Sequence, residues 1–150
     1  VGDKIQEYPC EPTSGYQQVM RAGSSAIYNH EGTIHDAKTK KFIRMVPEGK
    51  NYKALPTEYA GIYKYHEALT RYHSKKPSPT INTGHRSHFH YKWDRIPTVR
   101  ESARLQSFTD NFIFYGNKTQ QYRQVGNAVP PLLGKAIATE ILKWLKRNGN

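Results

Sequence analysis

The chain has 150 residues and a single cysteine, Cys10, so no internal disulfide can form and a multi-cysteine zinc site is excluded. That cysteine usage is compatible with a reducing cytoplasm. No apolar run approaches the ~20 residues that a membrane-spanning helix needs, and the start has no basic-then-apolar signal-peptide pattern. Acid is scarce: 12 Asp and Glu stand against 23 Lys and Arg, for a formal net charge of +11. Hydrophobic residues make up 36% of the chain and the mean hydropathy is −0.84, which is polar for a self-contained enzyme. No internal repeat or low-complexity tract is present. The length suits one domain or one and a fraction, enough to bury roughly 70% of the unfolded surface and form a real core. The first residue is Val1, and the expectation is a piece of something longer.

What is there is unevenly spread. Net charge is −2 over residues 1–31, +8 over 32–95 and +5 over 96–150. A middle segment this basic, with its cations mixed among Tyr and His between 59 and 93, points to a polyanion partner, because each phosphate contact releases condensed counterions. Lys50, Lys53, Arg71, Lys75 and Lys76 are candidate phosphate contacts, which position a protein without reading sequence. The tyrosines at 59, 63, 65 and 72 read mostly as core of a small domain, with Tyr63 or Tyr65 as candidates for a groove. His85-Arg-Ser-His-Phe-His90 has metal-like histidine spacing but no carboxylate or thiol company, so no metal site is expected there.

The pattern predicts a short helix over 16–22, a small strand over 26–28, and a charged helix after His30 that ends in a strand over 41–46. Residues 47–50 are a turn by composition. Residues 58–72 read as irregular, with a helical turn or two, and 78–83 as a strand bounded by Pro77 and Gly84. Thr98-Val-Arg-Glu101 fits a capping box that opens a helix. In that helix Val99, Ala103 and Gln106 share one face, with Arg100 and Arg104 on another. A turn at 108–111 and a strand over 112–115 follow. Gly126-Asn127 reads as a sharp positive-φ turn, and Pro130 and Pro131 start a last helix over 130–147. That helix carries Leu133, Ile137, Ile141 and Leu145 at four-residue intervals, widened by Leu132, Ala136 and Trp144. So broad an apolar stripe is expected to pack on a larger body.

Two long blocks carry a family resemblance. Gln121-Tyr-Arg-Gln-Val-Gly-Asn-Ala-Val-Pro-Pro131 resembles the last signature block of the cytosine-5 DNA methyltransferases. Upstream, Arg95-Ile-Pro-Thr-Val-Arg-Glu-Ser-Ala-Arg-Leu-Gln-Ser-Phe108 resembles the block that precedes it in that family. The likeness is looser over 26–94, where Pro47–Pro56 resembles a glycine-containing turn of the recognition region and Thr80-Ile81 its Thr-plus-aliphatic pair. Thr109 departs from the proline usual there.

The resemblance implies an α+β chain in three parts. Residues 1–29 would be a linker arriving from a catalytic domain, and 30–115 a small mixed α/β target-recognition domain. Residues 116–150 would be a return segment whose helix packs on the α/β S-adenosylmethionine-binding domain. It implies cofactor contacts at Asn127, Ala128 and Val129, and duplex DNA as the partner. Thr80, His85, Arg86 and His88 join the lysines and Arg71 on the DNA side, with Arg86 suited to guanine O6 and N7. Arg95, Arg100, Glu101 and Arg104 would be structural, the arginines as ion pairs and Glu101 as the cap. The family's glycine-rich cofactor loop, Pro-Cys-Gln nucleophile loop, Glu-Asn-Val block and Gln-x-Arg block are not among these residues, and Cys10 in Tyr-Pro-Cys-Glu-Pro reads as a linker cysteine. The expectation is therefore a C-terminal fragment, or the small subunit of a two-polypeptide bacterial restriction-modification enzyme, not competent alone. A stand-alone DNA-binding module is the rival reading.

Overall fold

The computed structural model describes residues 4–60, 69–84 and 87–149. Tyr63, Tyr65, His85 and Arg86 lie outside the described residues. The elements in chain order are α1 (Gly15–Arg21), α2 (Ala37–Met45), a 3-10 turn (Tyr52–Ala54), α3 (Thr57–Ala60), β1 (Thr70–Arg71), β2 (His88–Phe89), α4 (Val99–Leu105), α5 (Lys118–Asn127) and α6 (Pro131–Asn148). Strands β1 and β2 pair in parallel, Thr70 opposite His88 and Arg71 opposite Phe89, which makes a mixed α+β architecture with a very small sheet.

Helices α1, α2, α4 and α5 each begin where a side chain can take up a free amide. Ser14 Oγ accepts from Gln17 N (3.2 Å) at α1, and Asp36 Oδ1 from Thr39 N (2.6 Å) at α2. Thr98 and Glu101 form the capping box at α4: Thr98 Oγ1 accepts from Glu101 N (3.1 Å) while Glu101 Oε2 accepts from Thr98 N (2.7 Å). Asn117 and Gln120 build the same device at α5. Such caps typically contribute about 1 kcal/mol each.

Two apolar clusters organise the chain. The first joins Ile43, Val46, Tyr52, Leu55, Phe89 and Ile96, and is the core of the 37–96 region. The second joins Val99, Ala103, Phe108, Phe114, Tyr122 and Val125, with Ile81 and Ala128 against its edge. It runs straight across the expected boundary at 115/116, because α5 packs on α4 instead of leaving with α6. Residues 4–29 are tied to the same region. Tyr8 Oη donates to Asp110 (2.7 Å), Asp110 N donates to Met20 O (2.7 Å), and Tyr16 Oη donates to Arg104 O.

Five local expectations are corrected. Residues 41–46 are helical up to Met45, since Phe42, Ile43 and Val46 satisfy a helix face as well as a strand and Asp36 nucleates the helix. The 26–28 strand is reduced to one antiparallel bridge, Gln6 with Ile27. Residues 112–115 form no strand: the Asn29 side chain, held at φ 59°, donates to Phe114 O (2.9 Å) and accepts from Phe114 N (3.0 Å), taking a partner strand's place. Residues 78–83 likewise lie outside any sheet. The turn expected at Gly126-Asn127 is instead the last turn of α5, and neither residue has positive φ.

Helix α6 is the longest of the described helices and has no buried residue. Leu132, Leu133, Ile137, Ile141, Leu142, Trp144 and Leu145 are all between 47% and 63% exposed. No helix among the described residues is long and apolar enough to cross a membrane.

Candidate functional site

The segment from Gly126 to Pro131 is held from below by the C-terminal end of α4. Gln106 is buried and its Nε2 donates to Val125 O, while Ser107 Oγ accepts from Leu132 N (3.1 Å). These contacts present Asn127 to solvent, seat Ala128 half-buried on the second cluster, and leave Val129 65% exposed. The result is one open wall carrying a carboxamide, a methyl and an isopropyl group. That set suits van der Waals and amide contact with one side of a nucleoside-type ligand, and it leaves the opposite side to be supplied by other residues.

Beneath the wall, the four structural candidates are tied down. Arg95 meets Glu101 in a bidentate pair, both N–O distances 2.7 Å. Burial pushes the Glu101 carboxyl upward, but the Arg95 guanidinium and the Thr98 amide outweigh it and hold the pKa at about 2. Arg104 grips Asp110 at 2.8 and 2.5 Å. Arg100 is fully buried, donating to Tyr28 O (2.9 Å), Thr109 O (3.0 Å) and Phe112 O (2.6 Å).

The cations of the basic segment divide into two kinds. Lys50, Lys53, Lys75 and Lys76 are exposed, as is Thr80. Arg71 is not available to a phosphate. It is 6% exposed, with Nε donating to Val46 O (2.8 Å), Nη1 to His90 O (3.3 Å), and Nη2 to Ile43 O and to Asp94 (3.2 Å). A guanidinium that caps the end of α2 and ties it to the strand pair has no donor face left for solvent. His88 is also misplaced as a DNA contact: it is buried, stacked on Tyr72 at 5.0 Å, and burial lowers its pKa, so it stays neutral at pH 7. Nothing in the sequence distinguished Arg71 from its exposed neighbours; its partner Asp94 lies 23 residues away.

The tertiary structure also makes a groove that sequence reasoning missed. It has a volume of about 440 Å³ and is bordered by Tyr72, His73, Lys76, His90, Tyr91 and Arg104. Its walls come from segments far apart in the chain, so no local pattern marks it. Among the described residues no group of three or more His, Cys, Asp or Glu could hold a metal ion.

The family model described as C-5 cytosine-specific DNA methylase matches residues 3–143. The chain is 41% identical over 144 residues to Type II methyltransferase M1.HphI of Haemophilus parahaemolyticus, covering 95% of this chain and 36% of that protein. It is 34% identical over 168 residues to Type II methyltransferase M.DdeI of Desulfomicrobium norvegicum, 99% of this chain and 40% of that protein. It thus spans well under half the length of both. Type II methyltransferase M.AquIB of Picosynechococcus sp. is 35% identical over 131 residues, which is 79% of this chain but 90% of that relative. A solved structure of a "putative DNA modification methyltransferase" encoded within an E. coli prophage superposes with a TM-score of 0.73 at 20% identity, covering 97% of this chain and 42% of that one, and so supports the fold. The matched family uses S-adenosylmethionine as methyl donor. A family model that runs nearly from end to end, with relatives above 30% identity, places the chain: it belongs to the C-5 cytosine-specific DNA methylases.

Proposed function

We propose that this chain is the target-recognition and return part of a DNA (cytosine-5-)-methyltransferase. Together with a catalytic part it would direct transfer of a methyl group from S-adenosylmethionine to C5 of cytosine in a specific duplex sequence. The catalytic part supplies the nucleophile, the glycine-rich loop and the rest of the donor pocket. This chain supplies DNA recognition through the 37–96 region and one wall of that pocket through Asn127, Ala128 and Val129. Lys50, Lys53, Lys75 and Lys76 contact phosphates, and base reading falls to the segment after Thr80, including His85 and Arg86.

The observation that carries this reading is α6. A long helix with no buried residue and seven large apolar side chains about half exposed is unfavourable unless something covers it. It follows directly on the Asn127–Val129 wall, so whatever covers α6 also stands beside the donor-binding residues. A self-sufficient DNA-binding module would have no reason to leave such a face open. The M.AquIB match takes in 90% of that relative, itself named a Type II methyltransferase.

The test is reconstitution. The purified chain alone is expected to transfer no methyl group to duplex DNA, and transfer is expected when the catalytic part of the same enzyme is added. Ile137→Asp, on the open face of α6, should leave the chain's own unfolding free energy within about 0.5 kcal/mol. It should weaken association with the catalytic part by about 2 kcal/mol or more. Methylation by the chain alone, abolished by Cys10→Ser, would overturn the reading.

A second measurement addresses DNA. If six phosphate contacts form, the log–log salt slope of binding is expected near −5, from about 0.9 per contact. Lys50→Ala should weaken binding to all duplexes alike and make the slope shallower by about one. A flat salt response would assign the basic surface to a protein partner.

A further inference from the structure

Helix α5 and the segment after Thr80 meet backbone to backbone at Gly126. A Cβ on Gly126 would lie 2.6 Å from both C and O of Asn82 and 2.7 Å from N of Thr83, all main-chain atoms. The φ of Gly126 is not in the left-handed region, so backbone freedom is not what requires glycine here. Space is. We propose that Gly126 is a positioning residue for the DNA-recognition loop, the seat on which the 82–84 backbone rests. The proposal builds on the function given above, since that is what makes the segment after Thr80 a reading loop.

The same place joins both halves of the function. Gly126 immediately precedes the Asn127–Val129 wall, and Asn82 lies two residues beyond Thr80. Ile81 and Ala128 both pack against the edge of the second cluster. Recognition loop and donor-side wall therefore share one backbone contact and one apolar support.

A side chain at 126 must move one of the two partners, and the structure says which. Helix α5 has a capping box at its start, buries Gln121, Tyr122 and Val125, and is bonded through Val125 O to Gln106. Residues 82–84 are exposed; Asn82 Oδ1 accepts from Gly84 N (3.0 Å) in a local turn. The loop gives way, by about 1 Å, to restore ordinary carbon contact distance. A base-reading side chain works within the few tenths of an ångström of a hydrogen bond, so a displacement of this size is enough to blur recognition without unfolding the protein.

The experiment uses the chain assembled with its catalytic part and compares Gly126→Ala with Gly15→Ala, where nothing lies within 4 Å of the added carbon. Expected for Gly126→Ala is a tenfold or greater fall in the ratio of kcat/KM on the cognate duplex to that on singly substituted duplexes. KM for S-adenosylmethionine should stay within twofold and the unfolding midpoint should match that of Gly15→Ala. Amide exchange should rise over 80–84 and not over 118–127. Preserved discrimination, with either a raised KM for the methyl donor or a lowered melting point, overturns the proposal. If the wild-type assembly methylates no duplex, the functional reading has failed, and exchange alone decides the seat: unaltered exchange over 80–84 overturns it.

Discussion

Replacing Arg100 with methionine is expected to lower the unfolding free energy by about 3 kcal/mol or more. The guanidinium is fully buried and donates to the carbonyls of Tyr28, Thr109 and Phe112, with Asn29 Oδ1 at 3.5 Å and Asp110 at 3.8 Å. Methionine fills much of the volume but takes the donor away from the Tyr28 and Phe112 carbonyls, while Thr109 O keeps its bond from Phe112 N (3.1 Å), and an unsatisfied buried acceptor costs about 1–3 kcal/mol. Asp110 keeps Arg104 and the Tyr8 hydroxyl, so the charge itself is not stranded. The carbonyls belong to the 28–29 and 109–112 segments, so the damage falls on the joint between the N-terminal region and the second cluster. Urea unfolding at pH 7 measures it. A loss below 1 kcal/mol would mean that those carbonyls find water or other partners and that Arg100 does not hold the joint.

Glu101→Gln is expected to cost about 3 kcal/mol at pH 7 and to flatten the acid limb of stability. Burial works against the carboxylate, yet Arg95 and the Thr98 amide lower its pKa from 4.5 to about 2. A depressed folded-state pKa means that the unfolded chain takes up the proton first. The stabilisation is therefore complete above about pH 4.5 and is lost as the pH falls from there toward 2. At 1.36 kcal/mol per unit the full amount is about 3 kcal/mol, and the carboxylate's low exposure of 21% leaves it little screened. Glutamine can still accept from Thr98 N but loses the charge pairing with Arg95. Asp94 and Asp110, whose arginine partners also depress their pKa, titrate in both proteins, so the difference between the two curves isolates Glu101. Unfolding free energies measured from pH 7 down to pH 2 give that difference. Parallel curves would show that the Arg95–Glu101 pair contributes nothing beyond its cap.

The two predictions share a lesson about signature blocks. Arg95, Arg100, Glu101 and Arg104 sit within ten residues of sequence, and the structure turns them into three separate devices: a charged cap, a buried carbonyl clamp and an ion pair to Asp110. The Thr98–Glu101 box was legible in the sequence because a cap depends on residues three apart and on nothing else. The α6 stripe was legible for the same reason: four-residue spacing along one helix is a local property. The family, too, could be read from two contiguous blocks.

Arg71 and Gly126 mark the other side. Arg71 stands in a basic stretch beside exposed lysines, and only the meeting of α2, the strand pair and Asp94 makes it an internal strut. Gly126 suggested a sharp positive-φ turn, and only the approach of Asn82 makes it a point of close packing. The strands expected at 78–83 and 112–115 have the right residues, but a strand is a pairing, and the Asn29 side chain replaced the partner at Phe114. The sequence by itself determined the helix starts, the apolar stripe of α6, the charge asymmetry and the family. The tertiary structure alone decided which cations face solvent, where the two clusters divide the chain, and what the glycine of the last signature block touches. The physical reason is range: caps and helix faces are set by neighbours within one or two turns, whereas burial, pairing and close approach depend on segments brought together from across the chain.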